Sequence, residues 1–130
     1  LPVSNLMSEI KTEIEWNDPN EVKVVSDCNN NALYFSREPI PSNKKYDEHI
    51  SAFKQVCVIP FRIDWLIKYT KLSPTPLEII ESVDMNRFLE HGLTVKLVET
   101  KFETLAVDTP EDLKIVELKM KNDTLLKKYL

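Results

Sequence analysis

The chain has 130 residues, a formal net charge of −4 at pH 7 and a sequence pI of about 5.2. This length predicts a single domain covering residues 1–130, with one hydrophobic core. An acidic chain without clustered Lys and Arg argues against a nucleic-acid-binding surface, and no apolar run approaches the ~20 residues of a membrane-spanning helix. Cys28 and Cys57 are too few for a disulfide framework, and we expect a cytoplasmic protein.

Gly92 is the only glycine in the sequence. Loops that hold nucleotide phosphates use glycines, because the backbone N–H groups must approach the phosphate closely. Neither a Walker motif nor a dinucleotide fingerprint is therefore present. We expect that this chain, taken alone, lacks a glycine-built nucleotide-binding loop.

The first half of the chain is predicted to be extended, with one hairpin. Residues 1–16 carry apolar residues among polar neighbours without a signal for a helix start, which predicts an extended segment. Val22–Val25 and Ala32–Phe35 are rich in β-branched and aromatic residues and are separated by a polar run, which predicts an antiparallel hairpin. Two prolines among polar residues predict a surface loop over residues 38–50.

Strands and helices are predicted to alternate in the second half. Gln55–Phe61 is almost continuously apolar, which predicts a strand buried on both faces, and a short helix follows from Asp64. Apolar spacing predicts helices over Leu77–His91 and Pro110–Tyr129, with a strand over Leu93–Phe102 between them. This order predicts an α/β fold with a mixed, partly parallel sheet and the antiparallel hairpin added to it.

Asp108 is predicted to lie at the carboxyl end of a strand, directly before a helix. Thr109 is suited to the N-cap and Pro110 to the first helical position. In open α/β sheets, ligands and metal ions bind at the carboxyl ends of strands. The alternative is that Asp108 only helps to end the strand and begin the helix, and from these residues alone this structural role is the favoured interpretation.

Four segments together resemble one known family, in the family's own order. They are Asp18–Val25, Ala32–Pro41, Pro74–Glu78 and Val107–Leu113. The family is that of the CMP-Kdo synthetases, or 3-deoxy-manno-octulosonate cytidylyltransferases. The resemblance covers nearly the whole chain but corresponds to roughly the second half of those enzymes, so it implies part of a three-layer α/β/α, Rossmann-like nucleotidyltransferase fold without the N-terminal nucleotide-binding half.

The resemblance implies roles for individual residues. Asp108 matches the later of the family's two metal-binding aspartates, which hold Mg²⁺, and Arg37 matches the arginine of a Tyr-Phe-Ser-Arg motif at the sugar-acid pocket. A guanidinium is well suited to a bidentate grip on a carboxylate. Gln55 and Asp84 occupy two further positions of the substrate pocket. The resemblance also implies CTP and a sugar acid as substrates, and a homodimer.

The sequence departs from the family's pattern in the sugar pocket. Gln55 replaces the usual histidine, and Cys57 and Ile59 replace a Gly and a Tyr. The Glu-Gln pair of the long helix becomes Asp84-Met85, so that an amide is exchanged for a thioether, which is only a weak acceptor. The segment before Asp108 lacks the family's glycines. No residue is assigned as catalytic.

Two hypotheses follow. In the first, the chain is the C-terminal half of an enzyme that transfers a cytidylyl group from CTP to a Kdo-like 3-deoxy sugar acid, giving a CMP-sugar and pyrophosphate, and the chain alone is inactive. In the second, it is a non-catalytic reduced relative, acting as a sugar-acid-binding or dimerisation module. The altered residues Gln55 and Met85 motivate the second hypothesis.

Overall fold

The computed structural model describes residues 1–45, 51–102 and 104–128, except for the side chain of Lys127. Five strands form one mixed sheet in the order β3-β2-β4-β1-β5. β1 and β5 are parallel, and the other neighbouring strands are antiparallel. The strands are β1 (Val3–Glu9), β2 (Lys23–Ser26), β3 (Ala32–Ser36), β4 (Phe53–Val56) and β5 (Val95–Glu99).

Five α-helices are present in the part of the chain that the structure describes. They are α1 (Glu13–Asn17), α2 (Ile63–Tyr69), α3 (Pro76–Glu81), α4 (Met85–Glu90) and α5 (Pro110–Met120), and a 3₁₀ turn follows at Leu126–Lys128. No helix in this part is long and apolar enough to cross a membrane. The predicted alternation of strands and helices, with a mixed sheet and an antiparallel hairpin formed by β2 and β3, is confirmed.

Strand alternation gives the sheet one mainly apolar face, which also holds the buried Asn5, and one face rich in buried polar side chains. Val3, Met7 and Leu97 point to the apolar face, where they pack with Met85 and Phe88 of α4 in a single hydrophobic core. The opposite face carries buried polar side chains, namely Ser8, Lys23, Ser36 and Lys54. The core therefore lies between the sheet and α4, with Trp65 and Tyr69 of α2 packed against it.

The extended prediction for residues 1–16 is wrong at its C-terminal end, where α1 forms. The Thr12 hydroxyl accepts a hydrogen bond from the Glu15 N–H at 3.2 Å, and the Glu15 carboxylate accepts one from the Lys11 N–H at 2.9 Å. A Thr followed three residues later by a Glu is the capping-box signature. The sequence contained this signal.

The strand prediction over Gln55–Phe61 is also wrong in extent, since β4 ends at Val56. The Val58 N–H bonds to the Val56 carbonyl at 2.7 Å, which bends the chain and leaves Cys57 and Val58 exposed. Pro60 has no N–H group to continue a ladder. The apolar run is therefore not a strand buried on both faces.

β5 ends at Glu99, three residues before the predicted end at Phe102. Its pairing with β1 stops at Met7 and Glu99, and the last bond between the two segments joins the Thr100 N–H to the Met7 carbonyl at 2.8 Å. β1 itself continues to Glu9, and its last two residues pair with β4 but not with β5. Residues 100–102 and 104–108 are irregular and mostly exposed.

The predicted helix over Leu77–His91 is two helices. Ser82 adopts a left-handed conformation with φ of 53°, which ends α3, and α4 begins at Met85. The Val83 N–H bonds back to the Glu78 carbonyl at 3.2 Å, so that the chain turns sharply at Ser82–Asp84. We call residues 81–84 the elbow. The spacing of apolar residues could not reveal the elbow, because the apolar residues of α4 continue the helical spacing and pack into the core.

The predicted helix over Pro110–Tyr129 is shorter than expected. α5 ends at Met120, and the Asp123 carboxylate accepts the Leu125 N–H at 2.6 Å in a turn that breaks the helix. Asp side chains favour such local bonds over helix interiors. No residue of α5 is buried, and Tyr129 lies outside the described residues.

Candidate functional site

Arg37 follows β3 and is bonded to three backbone carbonyls. Its Nε donates to the Glu81 carbonyl at 2.7 Å, one terminal nitrogen to the Pro19 carbonyl at 2.8 Å, and the other to the Ser82 carbonyl at 3.2 Å. Three of the five guanidinium N–H groups are thus used, and two have no partner among the described residues. The guanidinium holds the end of α3 against the hairpin and keeps donors for a ligand.

The Glu81 carboxylate lies directly behind Arg37. It accepts the Tyr34 hydroxyl at 2.6 Å, the Ser36 hydroxyl at 2.9 Å and the Arg37 backbone N–H at 2.8 Å. The polar side chains of the Tyr-Phe-Ser-Arg motif therefore all bind the C-terminal end of α3. Burial acts to raise the pKa of Glu81, but these three donors outweigh it and hold the pKa below the ordinary value. The hydrogen bond to Glu81 raises the pKa of Tyr34 to about 12.

Phe35, the remaining member of the motif, is bound by α4. The Asn86 side chain accepts the Phe35 N–H at 3.3 Å and donates to the Phe35 carbonyl at 3.0 Å. A fully buried amide thereby pairs with the free edge of β3 as a neighbouring strand would. The elbow is thus fixed to the sheet on both of its sides.

Asp84 lies on the elbow, two residues after the Ser82 carbonyl that Arg37 binds. Its side chain is exposed and makes no hydrogen bond to cap α4. Arg37 binds the Ser82 carbonyl of the elbow, but among the described residues no hydrogen bond or ion pair joins its side chain to Asp84, whose charge acts on Tyr69 and Arg87. The Asp84 carboxylate is free to accept hydrogen bonds from a ligand.

Gln55 is placed differently. Its amide nitrogen donates to the Asn5 side chain at 2.7 Å, and the buried Asn5 amide donates in turn to the Val56 carbonyl at 2.9 Å. Among the described residues, no hydrogen bond or ion pair joins Gln55 to Arg37 or Asp84. Met85, the other altered position, is a buried core residue. Gln55 therefore belongs to a local polar network between β1 and β4.

The prediction that Asp108 lies at the carboxyl end of a strand is wrong. β5 ends at Glu99, and Asp108 is exposed in the irregular segment before α5. Its backbone N–H donates to Asp112 at 3.2 Å, and the Thr109 hydroxyl and the Asp112 N–H complete the cap of α5. The predicted helix start at Thr109 and Pro110 is confirmed, and in this chain the visible role of the corner is capping.

The described residues do not form a magnesium site by themselves. No group of three or more His, Cys, Asp or Glu side chains within residues 1–45, 51–102 and 104–128 could hold a metal ion. Mg²⁺ requires several oxygen ligands, and Asp108 offers one carboxylate. A metal at Asp108 would therefore need ligands from outside the described part of this chain.

A cavity of about 630 Å³ opens on the polar face of the sheet, under α1 and beside α5. Lys54 lies at its floor, is almost fully buried, and pairs with Glu15 at 2.5 Å and Glu21 at 3.0 Å. Burial acts to lower the pKa of Lys54, but the two carboxylates raise the pKa above its ordinary value. The cavity includes none of Arg37, Gln55, Asp84 and Asp108. Its buried charges are paired, which is the usual condition of a structural ion pair.

Glu81 and Asn86 were not identified from the sequence. A continuous helix would put Glu81 on its apolar side, four residues after Leu77 and seven before Phe88, and would put Asn86 on its polar side. The available signal was the polar content of the Tyr34–Arg37 motif, since hydroxyl and guanidinium donors on one strand end require acceptors. Which acceptor they find depends on the elbow.

Comparison with known proteins agrees with the arrangement of these segments. The family described as Cytidylyltransferase matches residues 2–105. The chain is 40% identical over 126 residues to the 3-deoxy-manno-octulosonate cytidylyltransferase of Geobacter metallireducens, an alignment that covers 88% of this chain and 50% of that protein. It is 42% identical over 129 residues to the enzyme of the same description from Geotalea daltonii, covering 88% and 51%.

A solved structure agrees with the sequence comparison. The structure of CMP:2-keto-3-deoxy-manno-octonic acid synthetase complexed with CTP superposes with a TM-score of 0.84 at 34% identity, covering 94% of this chain and 50% of that one. The α/β nucleotidyltransferase fold is thereby confirmed. The chain spans about half the length of the relatives it matches, and it belongs to the cytidylyltransferase family.

Proposed function

We propose that this chain provides the sugar-acid-binding half of a cytidylyltransferase. In the assembled enzyme, the cytidylyl group of CTP is transferred to a hydroxyl of a Kdo-like 3-deoxy sugar acid, and pyrophosphate is released. The nucleotide-binding half is the part of the relatives that these 130 residues do not match. The isolated chain is expected to bind the sugar acid and to show no turnover.

The observation that carries this proposal is the state of Arg37. Its guanidinium is fixed by three carbonyls and keeps two unused N–H groups, and the exposed Asp84 follows two residues after the Ser82 carbonyl that Arg37 binds. A fixed guanidinium can bind a carboxylate through two parallel hydrogen bonds, and a free carboxylate can accept hydrogen bonds from sugar hydroxyls. An acidic sugar carries both kinds of group.

The residues at the two altered pocket positions support a sugar pocket whose affinity for Kdo differs from that of the relatives. Gln55 already donates to Asn5, and Met85 is buried in the core, so neither side chain contributes a free polar group at the elbow. We propose that the ligand is held mainly by Arg37 and Asp84. The affinity for Kdo should accordingly be lower than in relatives that keep the histidine and the Glu-Gln pair.

Magnesium and the pairing of two copies belong to the proposal as well. Asp108 would supply one carboxylate to Mg²⁺, and the remaining ligands would come from the nucleotide-binding half. Exposed apolar side chains on α2 and α3, including Ile63, Ile79 and Ile80, support a homodimer, because large apolar patches on a surface usually mark contact sites. Sedimentation that shows only monomers would contradict the dimer.

The alternative is a non-catalytic module that binds a sugar acid or a second copy and takes no part in transfer. The burial of Met85 favours it, since the amide that the family places there is lost.

A reconstitution experiment separates the two possibilities. The chain is mixed with the unmatched half of the Geobacter metallireducens relative, together with CTP, Mg²⁺ and Kdo, and pyrophosphate release is measured.

We expect pyrophosphate from the mixture and none from the chain alone. Asp108→Asn should abolish the release, whereas Asp123→Asn, a change on an exposed turn after the same helix, should leave it intact. Calorimetric titration of the chain alone with Kdo tests the binding step, with Arg37→Lys as the disabled variant and Arg62→Lys as the matched control. Binding of Kdo without any turnover in the mixture would select the non-catalytic module.

A further inference from the structure

We propose that Glu81 is a positioning residue, which sets the orientation of Arg37 and of the elbow so that both face the carboxylate of a sugar acid. The inference deepens the proposed function and rests on it, since that function makes Arg37 the group that binds the carboxylate. Neither the sequence nor the comparisons assign a role to Glu81.

Glu81 joins the hairpin to the elbow through both its side-chain carboxylate and its backbone carbonyl. Its carboxylate receives Tyr34, Ser36 and the backbone N–H of Arg37, at 2.6, 2.9 and 2.8 Å. Its own carbonyl receives Nε of Arg37 at 2.7 Å. The residue therefore fixes both the backbone and the side chain of Arg37.

The bonds on Arg37 decide which donors are left for a ligand. Nε faces the Glu81 carbonyl, so the plane of the guanidinium is set by the end of α3. The two unused N–H groups lie on the terminal nitrogens, one on each. A guanidinium that is already oriented loses little conformational freedom on binding, and this preorganisation strengthens its grip on a carboxylate.

The carboxylate of Glu81 forms no hydrogen bond with the guanidinium itself. Glu81 therefore has two effects on a bound anion, and they oppose each other. Its negative charge weakens the attraction of Arg37 for an anion, whereas its hydrogen bonds hold Arg37 in place. Removing the charge alone would strengthen the binding of the anion, so weaker binding after Glu81→Gln would identify the positioning role.

Glu90 provides a matched control on the same pair of helices. Its carboxylate accepts the N–H groups of Leu77 at 3.0 Å and Glu78 at 3.3 Å, at the opposite end of α3. It forms no hydrogen bond with Arg37. Glu90→Gln therefore changes a helix-capping carboxylate of the same chemistry without touching the proposed site.

The experiment is a calorimetric titration of the chain with Kdo and, separately, with Kdo methyl ester, which lacks the carboxylate charge. We expect Glu81→Gln to weaken Kdo binding roughly tenfold, equivalent to about 1.4 kcal/mol, and to leave ester binding nearly unchanged. Glu90→Gln should keep the acid-to-ester ratio of the wild type. A loss that arose from general destabilisation would lower both affinities together.

A milder variant protects the test if Glu81→Gln does not fold. Tyr34→Phe combined with Ser36→Ala removes two of the three donors to Glu81 and keeps its charge, and it should also lower the acid-to-ester ratio. An unchanged or raised ratio in a folded variant of either kind would overturn the positioning role while the proposed function stands. Failure of the wild-type chain to bind Kdo at all would instead remove the proposed function, and this inference with it.

Discussion

α3 and α5 begin in the same way and end in different surroundings. Both start with Thr-Pro, and in both the third helical residue is a carboxylate that accepts the N–H of the capping Thr, Glu78 at 3.2 Å and Asp112 at 2.9 Å. Glu78 is buried and also pairs with Arg87 of α4. Asp112 is half-buried, and its hydrogen bonds are all made at its own helix start. A capping pattern thus determines where a helix begins, but not whether it packs.

The difference extends to what each helix holds in place. The end of α3 carries the elbow, where Arg37, Glu81 and Asn86 tie the hairpin to the helices. α5 has no buried residue, and all of its apolar side chains except that of Val116 are exposed. We infer that the elbow region is part of the cooperative core of this chain, whereas α5 depends on contacts that the chain does not itself supply.

The largest expected contrast comes from deleting one apolar side chain in each region. Phe88 of α4 is fully buried and stacks on Tyr69 with ring centroids 5.1 Å apart. Phe88→Ala should lower the free energy of unfolding by about 4 kcal/mol. Leu118 of α5 is 62% exposed, and Leu118→Ala should change the free energy of unfolding by less than about 0.5 kcal/mol. Urea unfolding measures both, and similar losses would show that α5 is packed in solution.

A smaller contrast is expected between the two predicted site residues. Arg37→Ala removes three hydrogen bonds to backbone carbonyls and should lower the free energy of unfolding by about 2 kcal/mol. Asp108→Ala removes an exposed side chain and should cost less than about 0.5 kcal/mol. The same urea series checks both variants. A large loss for Asp108→Ala would mean that this corner is structurally anchored.

The smallest effect is a difference in the pH dependence of stability. The folded pKa of Glu81 lies below the ordinary value of 4.5, so its hydrogen bonds add stability above pH 4.5. That stability is lost as the pH falls through the folded pKa. Glu81→Gln should therefore differ most from the wild type near neutral pH and approach it under acid conditions. Unfolding free energies measured across this range give the curve, and parallel curves would contradict the lowered pKa.

The candidate site could be predicted in part from local signals. The motif ending in Arg37 marked one side of the elbow, because its polar donors require acceptors. That Asp84 shares a substrate pocket with Arg37 stays a prediction from the resemblance. The position of Asp108 could not be predicted, since the chain stops pairing with β1 after Glu99, and the point where two strands stop pairing is not a property of residues 100–108 alone.

The sequence by itself determined most of the element types, the hairpin, the starts of α3 and α5, and the family. These follow from side-chain periodicity, capping and motif order, which act over a few residues. Only the tertiary structure decided that the predicted long helix bends at Ser82, that Glu81 receives three donors from one strand, and that Gln55 turns to Asn5. Each of these depends on residues more than forty positions apart in the chain, and such partners are fixed only when the sheet and the helices pack.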